Sequence, residues 1–470
     1  MPPLSLPLFS SLRPFSLAAA LALATAIAAN LGLANPRIGN FAGDHGLYWL
    51  LAAAFCGAVG GHLWAQRRPH ASAIAPVLGA AAGIAFMVLC GQNQTGKTGA
   101  VAGILLLAAV APSCGTKAAP EELGRFWLRL VVAMAIGIAA ALVSTAGMAL
   151  FLFNLKYLFE IAIPGDLYNH VTVSAMLAIG PLFALSVLAR RGDAAPALYP
   201  RAGTAGRAIL AILHYAVIPL TLAYAAMLHV YALKIAVSGQ LPDGEIGWLV
   251  LAFGLAGTAA YLGILPWSDR RAWLPRVFSK GWFAMSVVPA ILLAVAVAQR
   301  IADYGVTPPR YYLALYGLWL GGTAILMLVR RTRHDPRAMV AGLGALLMLA
   351  GAGPWSVAAV SGRSQAAQLR EVLARSCEEP GTAPLLETDW ACVPPEGVAR
   401  ERAKSALRAL KGLDALDRLP PMFRQRDGDP FAGTAAELYA GIRTALGADA
   451  TSKPEDGAAP GSANRATPAE

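Results

Sequence analysis

The octapeptide "GQNQTGKT", Gly91 to Thr98, fits G-x-x-x-x-G-K-[ST] at every defined position and follows the apolar run "IAFMVLC", Ile84 to Cys90. Read as a strand and a phosphate-cradling loop, the two begin a nucleotide-binding α/β domain, with Lys97 reaching the phosphates and Thr98 binding magnesium. Read as the end of one apolar helix and the start of the next, they form a membrane hairpin. These readings lead to different folds, and the rest of the chain decides between them.

Of the 470 residues, 57% are hydrophobic and only 14% are charged, and the mean hydropathy is +0.54. A soluble chain carries roughly 25% charged residues. The charges here fall in short clusters between long uncharged stretches, which is the pattern of a multi-pass membrane protein. The net charge of +11 is spread over those clusters rather than gathered on one face, so it calls for no nucleic-acid partner.

About eleven segments approach spanning length. They run roughly over 15–34, 47–65, 72–90, 99–112, 126–153, 170–189, 208–237, 246–267, 282–299, 311–329 and 338–360. The fourth is short. The first is longer than a signal-peptide core and is expected to remain as a helix. Four pairs of glycines in G-x-x-x-G spacing, Gly57/Gly61, Gly79/Gly83, Gly99/Gly103 and Gly317/Gly321, let helix backbones approach closely and read as packing signals within the bundle.

Lysine and arginine divide unevenly between alternate loops. One side carries Arg13, Arg67, Arg68, Lys117, Arg125, Arg190, Arg191, Arg201, Arg207, Arg270, Arg271, Arg276, Lys280, Arg330, Arg331, Arg333 and Arg337. The other has only Arg37, Lys97, Lys156, Lys234, Arg300 and Arg310 before the last span. Positive loops stay cytoplasmic, which predicts an N-terminus inside and, with an odd number of spans, a C-terminus outside. The octapeptide then lies on the outer face, where nucleotide is not supplied. No later apolar strand ends in an aspartate placed to hold magnesium. It is therefore read as a tight outer hairpin whose Lys97 snorkels to lipid head groups.

The predicted fold is all-α: a polytopic transmembrane bundle with a small helical extracytoplasmic C-terminal domain. Residues 1–125 hold about four spans and 126–360 about seven, by the length criterion. Residues 361–446 form the periplasmic domain, with helical stretches near 361–381, 398–416 and 433–446, and the Ala/Pro/Gly/Ser-rich tail 447–470 is disordered. Within the periplasmic domain, Cys377 and Cys392 either pair as a disulfide or remain two free thiols.

Ionisable groups in a bilayer are functional candidates by default. In "LHYAVIPLTLAYAAMLHVYALKIAV", Leu213 to Val237, the residues Tyr224, Tyr231 and Lys234 share a helical face, and Pro219 lies between His214 and His229. Arg310, Tyr311 and Tyr312 open the tenth span, and Arg363 follows the eleventh. Tyr231, Lys234, Arg310, Tyr311, Tyr312 and Arg363 thus make a candidate outer rim, suited to an anionic lipid or a small anionic solute. An aromatic belt with loop ion pairs accounts for the same residues. Catalytic motifs such as H-E-x-x-H and G-x-S-x-G are absent from the sequence, and no cofactor or metal is expected. Expected partners are membrane lipids and a periplasmic protein.

Three stretches carry a family resemblance: "YALKIAVSGQLPDGEIGWLVLAF" (Tyr231 to Phe253), "YGVTPPRYYLALYGLWL" (Tyr304 to Leu320) and "GPWSVAAVSGRSQ" (Gly353 to Gln365). In order and spacing they resemble the bacterial multi-pass membrane family known as domain of unknown function four-one-five-three. The match runs from about Ala208 to Gln368 and is looser upstream. An acidic residue common in the family is replaced here by Pro308. The resemblance implies an inner-membrane location and no particular activity.

Overall fold

The structure is a computed structural model of the full chain, and it describes residues 12–66, 68–71, 73–91, 94–113, 120–159, 162–189, 211–239, 246–265, 273–329, 335–374, 397–413 and 415. Every regular element among them is helical. Among the described residues nine helices are long and apolar enough to cross a membrane, and two more, Ala75–Leu89 and Pro336–Gly351, are apolar but shorter. By contact the chain separates into two compact units, Met1–Ser361 and Gly362–Glu470.

The first unit opens with α1 (Ser16–Ala34) and a short helix α2 (Pro36–Asp44) that the hydropathy pattern did not suggest. Its start is written in the sequence all the same. Pro36 occupies the first turn, and the Asn35 side chain accepts a hydrogen bond from the Arg37 amide. Helices α3 (Leu47–Ala65) and α4 (Ala75–Leu89) then form the closest pair in the fold. Gly57 and Gly79 face each other so closely that a Cβ on either would lie inside the other's carbonyl oxygen, and Gly61 and Gly83 meet the Ala75 and Ala53 carbonyls in the same way. Two of the G-x-x-x-G pairs are thus one interlocking seam. A third works between α5 (Gln94–Val110) and α13 (Pro336–Gly351), where a Cβ on Gly103 would stand 2.7 Å from the Gly344 carbonyl oxygen. The fourth is looser: a Cβ on Gly317 would stand 3.2 Å from the Leu293 side chain, and one on Gly321 3.5 Å from the Ala290 Cβ.

Helix α6 (Pro120–Phe159) is 40 residues long. At 1.5 Å per residue it extends about 60 Å, twice the thickness of a bilayer's hydrocarbon core. Next come α7 (Asp166–Ser174) and α8 (Gly180–Ala189), joined by a π-helical turn, Ala175–Ile179. A second π-turn, Leu213–Val217, leads into α9 (Ile218–Ser238). Both turns end two residues before a proline, Pro181 and Pro219. A proline ring inside a helix collides with the carbonyl four residues back, and widening the preceding turn relieves that collision.

Helices α10 (Ile246–Ile264), α11 (Trp273–Tyr304) and α12 (Pro308–Val329) complete the bundle with α13. Its largest core is built on Phe253, Phe278, Trp282, Tyr316 and Trp319, with a second core where α1, α3, α6 and α8 meet. At the arginine-rich end, guanidiniums cap helix C-termini: Arg337 donates to the Ser113 carbonyl at 2.8 Å and Arg129 to the Leu188 carbonyl at 2.5 Å.

The eleventh predicted span, 338–360, does not form as one helix. Helix α13 stops at Gly351, Gly353 takes φ +79°, and α14 (Val357–Ala374) starts afresh. In the second unit α15 (Gly397–Gly412) buries Ala403, Ala406, Leu407 and Leu410 on one stripe, while Lys404 and Glu401 pair at 3.2 Å. Cys377, Cys392, the expected helix near 433–446 and the 447–470 tail lie outside the described residues.

Candidate functional site

Helix α5 begins at Gln94, inside the octapeptide, so the polar residues read as a hairpin loop form its first turn instead. The segment before it is helix α4 and not a strand, which removes the scaffold a P-loop requires. Thr98 is exposed and spends its hydroxyl on the Gln94 carbonyl of its own helix at 3.0 Å.

Lys97 does not snorkel. It is only 4% exposed, and its ammonium nitrogen lies 2.8 Å from where a Cβ on Gly46 would stand. The snorkelling reading fails because α5 turns this side chain inward, towards the start of α3 and the end of α4, and away from the lipid. The absence of a side chain on Gly46, the left-handed N-cap of α3 at φ +63°, makes the space. Cys90, the buried C-cap of α4, lies close enough to feel the lysine's charge.

The surrounding contacts tie four helices to this spot. The Trp49 indole N–H of α3 donates to the Gln94 side-chain oxygen. The Tyr312 hydroxyl of α12 donates to the Thr95 carbonyl at 2.8 Å, and its ring lies over Gly99. Gly351, the last residue of α13, packs where a Cβ would be 3.0 Å from the Ala100 Cβ and 3.1 Å from the Cys90 sulfur. Beyond it, the Trp355 carbonyl in the break between α13 and α14 accepts a hydrogen bond from the Tyr311 hydroxyl at 2.5 Å.

The expected rim residues are therefore divided. Tyr311 and Tyr312 pack edge-on, with ring centroids 5.9 Å apart, and both brace the Lys97 end. Arg310 is half-buried, donates to the Gly305 carbonyl at 3.0 Å and stacks 5.2 Å from the Tyr304 ring. Tyr231 packs against the largest core, while Lys234, three residues on, is exposed. Among the described residues no hydrogen bond or ion pair joins Lys234 to the α12 group. Arg363 belongs to the second unit and is exposed on α14. His229 bonds the Ala225 carbonyl of its own helix at 2.7 Å. A separate polar trio joins α1 to α7, where Asn30 accepts from His170 at 2.7 Å and donates to Ser174 at 3.0 Å. Among the described residues no three His, Cys, Asp or Glu side chains gather to hold a metal ion.

Sequence reasoning did not find the Lys97 cluster. Its parts come from Gly46, Cys90, Lys97, Tyr312 and Gly351, which only the packing brings together. The available signals were Gly46 just ahead of an apolar run and the Gly353-Pro354 breaker.

Gly46 makes the space that the Lys97 ammonium fills. Gly46→Ala should destabilise the protein by about 1–2 kcal/mol, the cost of a side chain in the left-handed region. It also drives a methyl group into the Lys97 ammonium. Thermal unfolding checks the first effect. A Gly91→Ala control shares the left-handed φ of +62° but has nothing within 4 Å of its Cβ, so it isolates the second.

No curated protein and no solved structure matches the chain. A family match covers residues 15–375, so it takes in the opening spans and the Lys97 cluster as well as the three stretches that first suggested it. On that match, the chain is a multi-pass membrane protein belonging to the family described as Domain of unknown function (DUF4153).

Proposed function

We propose that the protein moves an anionic or amphipathic solute across a bacterial inner membrane, binding it at the end of the bundle where α3, α5 and α12 begin. The observation that carries this reading is the burial of Lys97 within a bundle of apolar helices. A charge in that setting is costly, and where it persists it marks a substrate path or a binding site. The break between α13 and α14 supports the same reading, because irregular backbone in a membrane bundle is tolerated where it is enclosed by protein or lines a cavity. Arg310 and the exposed Lys234 then serve as outlying cations on the approach. The charge asymmetry favours an outward-facing Lys97 end: Arg13, Arg68, Arg125, Arg276, Lys280 and Arg337 lie at the opposite end, which on this reading faces the cytoplasm.

A second reading is a non-transporting envelope scaffold or sensor that presents the unit after Ser361 in the periplasm. The amphipathic stripe of α15 favours it. Complementation of a deletion strain separates the two. Transport predicts that Lys97→Met fails to complement at normal protein levels, while truncation after Gln365 retains activity. If Lys97→Met complements fully and the truncation fails, the scaffold reading replaces transport.

A further inference from the structure

The Lys97 end also indicates what kind of group it binds, an inference that deepens the transport reading but is tested by binding alone. Three helices start there: α3 at Leu47, α5 at Gln94 and α12 at Pro308, held together by the Trp49–Gln94 and Tyr312–Thr95 bonds. The N-terminus of each helix carries about half a positive charge. Such ends are normally offset by acidic residues in the first turn, and none of the three has one. Gly46, capping α3, supplies no side-chain oxygen either.

Lys97 adds a full positive charge to these partial ones. It is more than nine-tenths buried, and among the described residues no carbonyl or carboxylate accepts a hydrogen bond from its ammonium. Among the described residues no ion pair balances this cation, which stands beside the positive ends of the helices. We propose that this end of the bundle binds a phosphate group, with Lys97 as its ionic partner and the positive ends of α3 and α5 as its cradle. An ionised phosphate oxyanion answers this concentration of positive charge better than a neutral solute does, and helix N-termini are established phosphate binders. The metal-nucleotide version of the same chemistry does not fit, because Thr98 is exposed and bonded within its own helix. The phosphate arrives either on a lipid head group or free in solution.

Thermal unfolding and native mass spectrometry of the purified, delipidated full-length protein provide the test, using wild type, Lys97→Met and the exposed neighbour Thr98→Ala. The probes are inorganic phosphate, phosphatidylglycerol and, as a control, phosphatidylcholine. Wild type and Thr98→Ala should be stabilised by phosphatidylglycerol over phosphatidylcholine if the source is lipid, and by inorganic phosphate if it is free. Lys97→Met should melt no lower than unliganded wild type, because it removes an uncompensated charge. It should bind about ten- to a hundredfold more weakly, the worth of one hydrogen bond to a charged group. The proposal is overturned if wild type responds to neither anionic probe, or if Lys97→Met responds as wild type does. It is equally overturned if Lys97→Met melts well below wild type with no anion present, since the ammonium's partner would then lie within the chain. If binding is lost in Lys97→Met but the variant still complements, the phosphate site stands and transport falls.

Discussion

Replacing Gly79 with valine should leave little folded protein to recover from the membrane. Helices in a bilayer gain almost nothing from burying apolar surface against each other, since lipid is equally apolar, so their association rests on close packing. In the α3–α4 seam that packing brings backbone to backbone, with a Gly79 Cβ falling inside the Gly57 carbonyl oxygen. A carbonyl fixed in a helix cannot swing aside as a side chain can. The helices must separate along the seam, giving up the neighbouring contacts of Gly61 and Gly83 as well. Overpacking of this kind costs about 3 kcal/mol, the upper part of its usual range. Gly147→Val is the matched control, because nothing lies within 4 Å of its Cβ on α6. Size-exclusion chromatography after detergent extraction should give a monodisperse peak for the control and loss or aggregation for Gly79→Val. Equal recovery of the two would contradict the seam.

Trp282→Ala should cause the largest loss of stability in the main core. Its side chain is 1% exposed on α11, with ring centroids 5.2 Å from Phe253 and 5.5 Å from Phe278. Gly257 of α10 has no side chain because the indole occupies that space. Truncation leaves a cavity between α10 and α11, and such losses run to about 3–5 kcal/mol. Phenylalanine refills part of the void, so Trp282→Phe should fall between wild type and Trp282→Ala in thermal unfolding. An unchanged melt for Trp282→Ala would mean that these helices do not pack as described.

The sequence disclosed the apolar spans well, because a membrane helix is selected by composition over a long window. Leu47–Ala65 emerges with the expected limits, and most other spans differ only at their ends. The ends are where local chemistry competes with hydropathy. Gln94 and Thr95 look like loop residues, yet they form a helical turn because Trp49 and Tyr312 satisfy them. The break after Gly351 was hidden by its apolar neighbours, although Gly353 and Pro354 signalled it. The rim was legible only in part. Tyr311 and Tyr312 do work together, but through backbone carbonyls of residues more than forty positions away, Trp355 and Thr95. The burial of Lys97 was not legible at all, since it depends on a missing side chain at Gly46, a position that no periodicity connects to it.

On the transport reading, the octapeptide opens a membrane helix at an outward-facing end of the bundle. Labelling of single cysteines in an otherwise cysteine-free protein tests it most directly, using an impermeant thiol reagent on intact cells. Trp355→Cys marks the Lys97 end and Gln66→Cys the arginine-rich end, and both side chains are exposed. Trp355→Cys should label in intact cells and Gln66→Cys only after permeabilisation. The reverse pattern, or labelling of both only after lysis, would contradict it and return Lys97 to the compartment that holds nucleotide.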